Sequence, residues 1–110
     1  MKKTSESNSK GTSDVPLKEV NNKYFFVYTL LSLKDKKFYT GFTTNLKQRL
    51  SEHFYGKVAS TKFRRPFKLV HSEMFLNEID ARAREIFLKS GFGRKQLKQA
   101  LKRTLAENSS

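Results

Sequence analysis

The chain contains no cysteine. That excludes disulfides, thiolate catalysis and cysteine-held zinc or iron–sulfur centres, and it accords with a reducing compartment. Tryptophan is also absent, and there are only two prolines among 110 residues. No apolar run approaches the roughly 18 residues that a membrane-spanning helix requires. Met1-Lys2-Lys3 is followed by Ser, Thr and Asn and not by an apolar segment, so no secretory signal is expected and the cytoplasm is the expected location. Acidic residues are scarce too, with 10 Asp plus Glu against 23 Lys plus Arg.

The excess charge is not in the N-terminal stretch. Residues 1–22 hold four Lys and three acids, which leaves 19 basic and seven acidic side chains in residues 23–110. A domain that basic repels itself and attracts polyanions, and nucleic acid is the expected partner. The charge is spread over several elements and not gathered on one amphipathic helix, so a membrane surface is not the expected partner. Phenylalanine is unusually common, at 10 residues, so the core should be built on it.

Residues 1–22 are rich in Ser, Thr, Asn and Lys and have little to bury. They are expected to be a disordered tail, with a second short disordered end at 106–110. One domain is expected over 23–105. Tyr24 to Leu33 and Phe38 to Thr43 are aromatic and β-branched, and the Lys34-Asp35-Lys36-Lys37 tetrad between them has turn chemistry, so a β-hairpin is expected. Asn45 is a good cap for a helix over 45–55, with Leu46, Leu50 and Phe54 on one face, Arg49 and His53 on an adjacent one, and Gly56 as its stop. A basic loop covers 57–66. Residues 67–75 are read as a third strand covered on both faces.

Asn77 caps a second helix through about Lys89, with Ile79, Ala83, Ile86 and Phe87 inward. Ser90-Gly91-Phe92-Gly93 is read as a break before a last helix, about Arg94 to Leu105, with Leu97, Ala100, Leu101 and Leu105 inward. The order β-β-α-β-α-α gives an α+β fold, a three-stranded antiparallel sheet flanked by helices.

Taken singly, no polar residue identifies a site. A strand tyrosine usually packs with its hydroxyl reaching water, a lone helical Glu such as Glu85 usually makes a surface ion pair, and a histidine is more often structural than catalytic. The joint pattern is more informative. Phe26-Val27-Tyr28 is followed by Tyr39-Thr40-Gly41. Arg49-Leu50-Ser51-Glu52-His53 comes next, then the stretch Ser60 to Val70, then Ala81-Arg82-Ala83-Arg84-Glu85 running on to Arg94. This arrangement resembles the GIY-YIG nuclease superfamily, and in particular its small standalone bacterial members, which are related to the catalytic domain of the excision-repair nicking subunit. The resemblance spans about Lys23 to Arg103. The first triplet reads Phe-Val-Tyr in place of Gly-Ile-Tyr, and Phe54 follows His53 where many small members have Asn.

The resemblance implies a metal-dependent endonuclease that hydrolyses phosphodiester bonds in DNA, in repair or recombination. It implies that Glu85 holds one divalent cation, Mg2+ or Mn2+. Tyr28 is then the general base or water-positioning group, and Tyr39 and Arg49 contact the scissile phosphate. His53 is an auxiliary acid/base group. A solitary carboxylate is adequate for Mg2+, which commonly keeps several waters. The abundance of Lys and Arg, with the metal, is expected to lower the Tyr28 pKa. Lys62, Arg64 and Arg65, with Lys95, Lys98 and Lys102, are the candidate contacts to the nucleic-acid backbone. A partner protein for targeting is compatible with this reading. The alternative is a catalytically weak or inactive binding module of the same fold, acting on DNA or structured RNA.

Overall fold

The computed structural model describes residues 23–107. The expected tail at 1–22 lies outside them, as do residues 108–110.

The hairpin is formed by β1 (Phe25–Ser32) and β2 (Phe38–Thr43). Its turn is shaped by side chains. Ser32 Oγ accepts from the backbone N–H groups of Lys34 and Asp35, and Asp35 Oδ1 accepts from that of Lys37. Lys36 takes a positive φ of 64°. Helix α1 (Leu46–Phe54) follows, with the Asn45 side chain accepting from Gln48 N–H at its start. Gly56, just beyond its end, adopts φ 76°, where a side chain would be strained. A short 3-10 turn at Lys62–Arg64 leads into β3 (Phe67–Phe75). Helix α2 (Glu78–Lys89) begins at the Asn77 cap, as expected. Two more helices follow, α3 (Gly91–Ala100) and α4 (Lys102–Glu107).

The sheet is antiparallel with order β2-β1-β3. Tyr28 lies opposite Gly41, and Leu30 lies opposite Tyr39. Between β1 and β3 the register shifts at Thr29/Leu30: Thr29 pairs with His71 and Leu30 with Leu69, leaving Val70 as the bulged residue. Strand alternation divides the core in two. Val27 packs with Ala81, Leu88 and Leu97 under α2 and α3, supported by Phe25, Phe38, Phe42, Phe75 and Phe87. Tyr28, Leu30 and Phe67 pack on the other face with Tyr39, Leu46 and Leu50, under α1. The core therefore is phenylalanine-rich.

Five local expectations are corrected. His53 is the buried residue of α1, and Phe54 is exposed. The inward stripe is Leu46, Leu50, His53, because the turn from Leu50 to the sheet is completed at i+3 and not i+4. In α2 the inward residues are Ala81 and Leu88, while Ile79, Ala83 and Ile86 face solvent. The apolar spacing marked a stripe that the sheet does not cover. β3 is an edge strand with Lys68, Leu69, Ser72 and Met74 exposed, and is not covered on both faces.

Ser90-Gly91-Phe92-Gly93 is not a four-residue break, because α3 begins at Gly91. Ser90 alone ends α2 and caps α3, its Oγ accepting from Gly93 N–H. The glycine at 93 is there for space: a Cβ would stand 1.9 Å from the Phe87 carbonyl oxygen. A second bend at Leu101 divides the expected last helix into α3 and α4, with Ala100 exposed, and the helix runs on to Glu107, two residues past the expected edge.

Candidate active site

The site is assembled from β1, β2 and α1 on one face of the sheet, with α2 approaching from the other. Tyr28 projects from β1 across Gly41 of β2. A Cβ at Gly41 would lie 2.4 Å from the Tyr28 hydroxyl oxygen, so only glycine lets the phenol lie there. The hydroxyl is 2.7 Å from Nε2 of His53, which α1 carries into the core. His53 Nδ1 is 2.9 Å from Thr61 Oγ1, and the Thr61 hydroxyl in turn points at the Val58 carbonyl, 3.4 Å away. Tyr39 completes the cluster, its ring centroid 5.0 Å from that of His53 and 6.4 Å from that of Tyr28.

The directions of these bonds follow from the donor inventory. The Thr61 hydroxyl donates to the Val58 carbonyl, so its oxygen accepts from His53 Nδ1–H. Neutral His53 then has Nε2 free to accept the proton of the Tyr28 hydroxyl. One continuous chain results: Tyr28 O–H to His53, His53 N–H to Thr61, Thr61 O–H to Val58.

The titration behaviour agrees. Burial holds the His53 imidazole down to about 4, with the nearby Arg49 charge acting in the same sense, so it is neutral at pH 7. Burial pushes the Tyr28 phenol up to about 12, reinforced by Tyr39 and by Glu85 and opposed by Arg49. The expectation of a lowered Tyr28 pKa in the protein alone is therefore corrected: loss of hydration outweighs the influence of the nearby Arg49 charge. Arg49 also forms a 2.8 Å ion pair with Glu52.

Glu85 occupies an inward-facing position of α2, between Ala81 and Leu88, and its side chain is only 14% exposed. Its carboxylate lies 3.0 Å from Lys89 Nζ and 3.9 Å from Arg82 Nη1. It stands within Coulombic reach of Tyr28. As a solitary hard oxygen donor, it fits the binding mode of Mg2+ or Mn2+, in which waters and phosphate oxygens complete the shell. No cluster of three or more His, Asp or Glu exists among the described residues.

Thus Tyr28, Tyr39, Arg49 and His53 are in one cluster, and Glu85, on α2, is within Coulombic reach of Tyr28. The candidate backbone contacts do not form one group. Arg64 is committed within the protein: it pairs with Asp35 at 2.7 Å and donates to the Lys37 and Phe38 carbonyls. This pairing holds the Asp35 carboxyl well below the usual carboxylate range. Arg65 donates to the Lys62 and Phe54 carbonyls. Lys98 lies 5.9 Å from the Phe38 ring. Lys62, Lys95 and Lys102 are exposed.

Sequence reasoning missed Thr61, Glu52 and the pairing of Glu85 with Lys89. The last two were legible as i, i+3 and i, i+4 charge pairs. Nothing local marks Thr61.

Residues 24–99 match the GIY-YIG catalytic domain family. The chain belongs to that family, a family of nucleases. Among its curated relatives are UPF0213 proteins. That of Staphylococcus haemolyticus is 44% identical over 72 residues, spanning 64% of this chain and 85% of that protein. That of Pediococcus acidilactici is 40% identical over 81 residues, spanning 71% and 80%. The solution NMR structure of a UPF0213 protein from Bacillus halodurans is 34% identical and covers 79% of this chain and 94% of that one, with a TM-score of 0.49. No helix among the described residues is long and apolar enough to cross a membrane.

Proposed function

We propose that the protein is a divalent-metal-dependent endonuclease that hydrolyses phosphodiester bonds in DNA, with repair or recombination as its setting and a partner protein directing it there. The observation that supports this most is the buried Tyr28–His53 hydrogen bond, 2.7 Å long, lying over a glycine that has no room for a side chain. A tyrosine needed only for packing requires neither the histidine nor the glycine.

Tyr28 positions the attacking water and receives its proton while passing its own to His53 Nε2. The two steps must be concerted. Full transfer from a phenol near 12 to an imidazole near 4 is uphill by on the order of 10 kcal/mol in the resting protein. Thr61 keeps the imidazole in the accepting tautomer. Arg49 and Tyr39 orient the scissile phosphate, and Arg49 offsets the charge that develops on it. Mg2+ or Mn2+ held by Glu85 would act as a Lewis acid on the phosphate oxygens. Lys62, Lys95, Lys98 and Lys102, with the charges of Arg64 and Arg65, supply the field that draws the polyanion in.

Nicking of supercoiled plasmid in Mg2+ or Mn2+ tests the proposal. Cutting that disappears with EDTA and in Glu85→Ala supports it. Binding without cutting under every condition would favour the binding-module reading.

A further inference from the structure

The loop between α1 and β3 presents rings to solvent in a basic setting. Phe54, Phe63, Pro66 and Phe67 line a cleft of about 460 Å3, together with Lys34, Lys62 and Arg65. No carboxylate lines it. Phe63 is 76% exposed and Phe54 42% exposed.

This exposure is built in. Lys34 Nζ donates to the Phe63 carbonyl at 2.9 Å, and Arg65 Nη1 donates to that of Phe54 at 3.4 Å. Ser32 Oγ donates to the Arg64 carbonyl at 2.7 Å, and Leu33 N–H to that of Pro66 at 2.8 Å. Three of these bonds come from residues 32–34 and the fourth reaches the end of α1, and together they tie down residues 63–66, so the Phe63 ring is displayed and forgoes burial. The wall of the cleft is shared with the active site: the Phe67 ring meets the His53 imidazole edge-on, with centroids 6.3 Å apart. Lys62 Nζ stands 5.4 Å from the Phe63 centroid, placing charge beside the ring.

We propose that this cleft receives an unpaired nucleobase, stacked on Phe63 beside Phe54, with the flanking phosphates on Lys34, Lys62 and Arg65, so that the strand presented to Tyr28 is single-stranded next to the cleavage point. Open aromatic faces with cations and no acids are the means by which proteins hold single strands without reading sequence. A base inside a duplex has both faces covered by its neighbours and cannot use such a ring. The cleft lies one ring from His53, so a base in it belongs to the segment that carries the scissile bond. This last point rests on the nuclease reading; the binding itself does not.

The test is done in EDTA, at matched salt, on the full chain. Because the chain has no tryptophan, Phe63→Trp gives a single reporter. Its fluorescence should be quenched by a short oligothymidylate and not by a duplex of equal length. Phe63→Ala, at a surface position, should weaken single-strand binding by about 5- to 150-fold and leave duplex binding unchanged. A matching RNA strand is measured in parallel: selective loss on either single strand supports the proposal and identifies the sugar. Unchanged single-strand affinity in Phe63→Ala, an equal loss on single strand and duplex, or an unquenched reporter overturns it. The two readings fail separately. Plasmid nicking lost in Glu85→Ala but no single-strand effect of Phe63→Ala retains the nuclease and removes the cleft. Quenching by single strands with no cutting by wild type retains the cleft and removes the nuclease.

Discussion

Gly41→Ala adds one methyl group at the point where the site is tightest. The new Cβ would stand 2.4 Å from the Tyr28 hydroxyl oxygen and 2.5 Å from Cζ, where ordinary contact begins near 3.4 Å. Tyr28 must therefore retreat by about 1 Å. It is packed between the sheet and α1, and a shift of that size carries the 2.7 Å bond to His53 beyond hydrogen-bonding range. Overpacking of this kind costs about 1–3 kcal/mol of stability. Displacing a reacting group by about 1 Å can lower turnover on the order of 100-fold.

The assay is the nicking rate at saturating plasmid and metal, with urea unfolding to establish that the variant is folded. Tyr28→Phe sets the reference, and the double variant completes the cycle. Once the hydroxyl is gone its displacement has nothing left to remove, so Gly41→Ala should slow Tyr28→Phe little further. Gly41→Ala cutting at the wild-type rate would refute the reasoning, because the hydroxyl would then be free to stand elsewhere.

Stability should depend on pH through His53. Its folded pKa, about 4, lies below the ordinary 6.5, so between these values the unfolded chain binds more protons. The contribution is fully present above pH 6.5 and is lost as pH falls through that window, in total about 3 kcal/mol. Urea midpoints measured across the window should fall with acid, and a flat profile would contradict the buried neutral imidazole. Thr61→Val removes the acceptor for His53 Nδ1–H and should cost about 1–3 kcal/mol. It should also change the His53 tautomer seen by 15N NMR; an unchanged Nδ1–H signal would show that Thr61 does not set the tautomer. Gly93→Ala sets a Cβ 1.9 Å from a backbone oxygen that cannot swing aside, and should cost about 3 kcal/mol by thermal or urea unfolding. A loss under about 0.5 kcal/mol, the range of ordinary surface changes, would show that the α2–α3 junction is loose.

Much of this was legible from the sequence where a local rule decides. Asn45 and Asn77 announced their helices because capping needs only a side-chain oxygen and a nearby N–H. The hairpin followed from two aromatic runs and an Asp among lysines. What was not legible depends on the third dimension. His53 and Phe54 are adjacent, and which of them is buried is set by how α1 rolls on the sheet. Ile79, Ala83 and Ile86 have good helical spacing, yet the sheet meets α2 through Ala81 and Leu88. Arg64 looks like a free cation in sequence, and only the fold brings Asp35 to it. Tyr28 lies on the expected strand, but the sign of its pKa shift was not legible, because counting basic residues does not register the cost of burying the hydroxyl.

Tyr28 and Glu85 are proposed to carry out metal-dependent hydrolysis together, and single-turnover nicking in Mg2+ or Mn2+ by wild type, Tyr28→Phe and Glu85→Gln tests this. Both substitutions are nearly isosteric and leave DNA-binding charge outside the site intact. The expected result is cutting by wild type, its abolition by EDTA, and a loss in each variant of at least about 100-fold, the scale of general acid–base catalysis, with DNA affinity retained. Cutting by wild type that persists in either variant would contradict it.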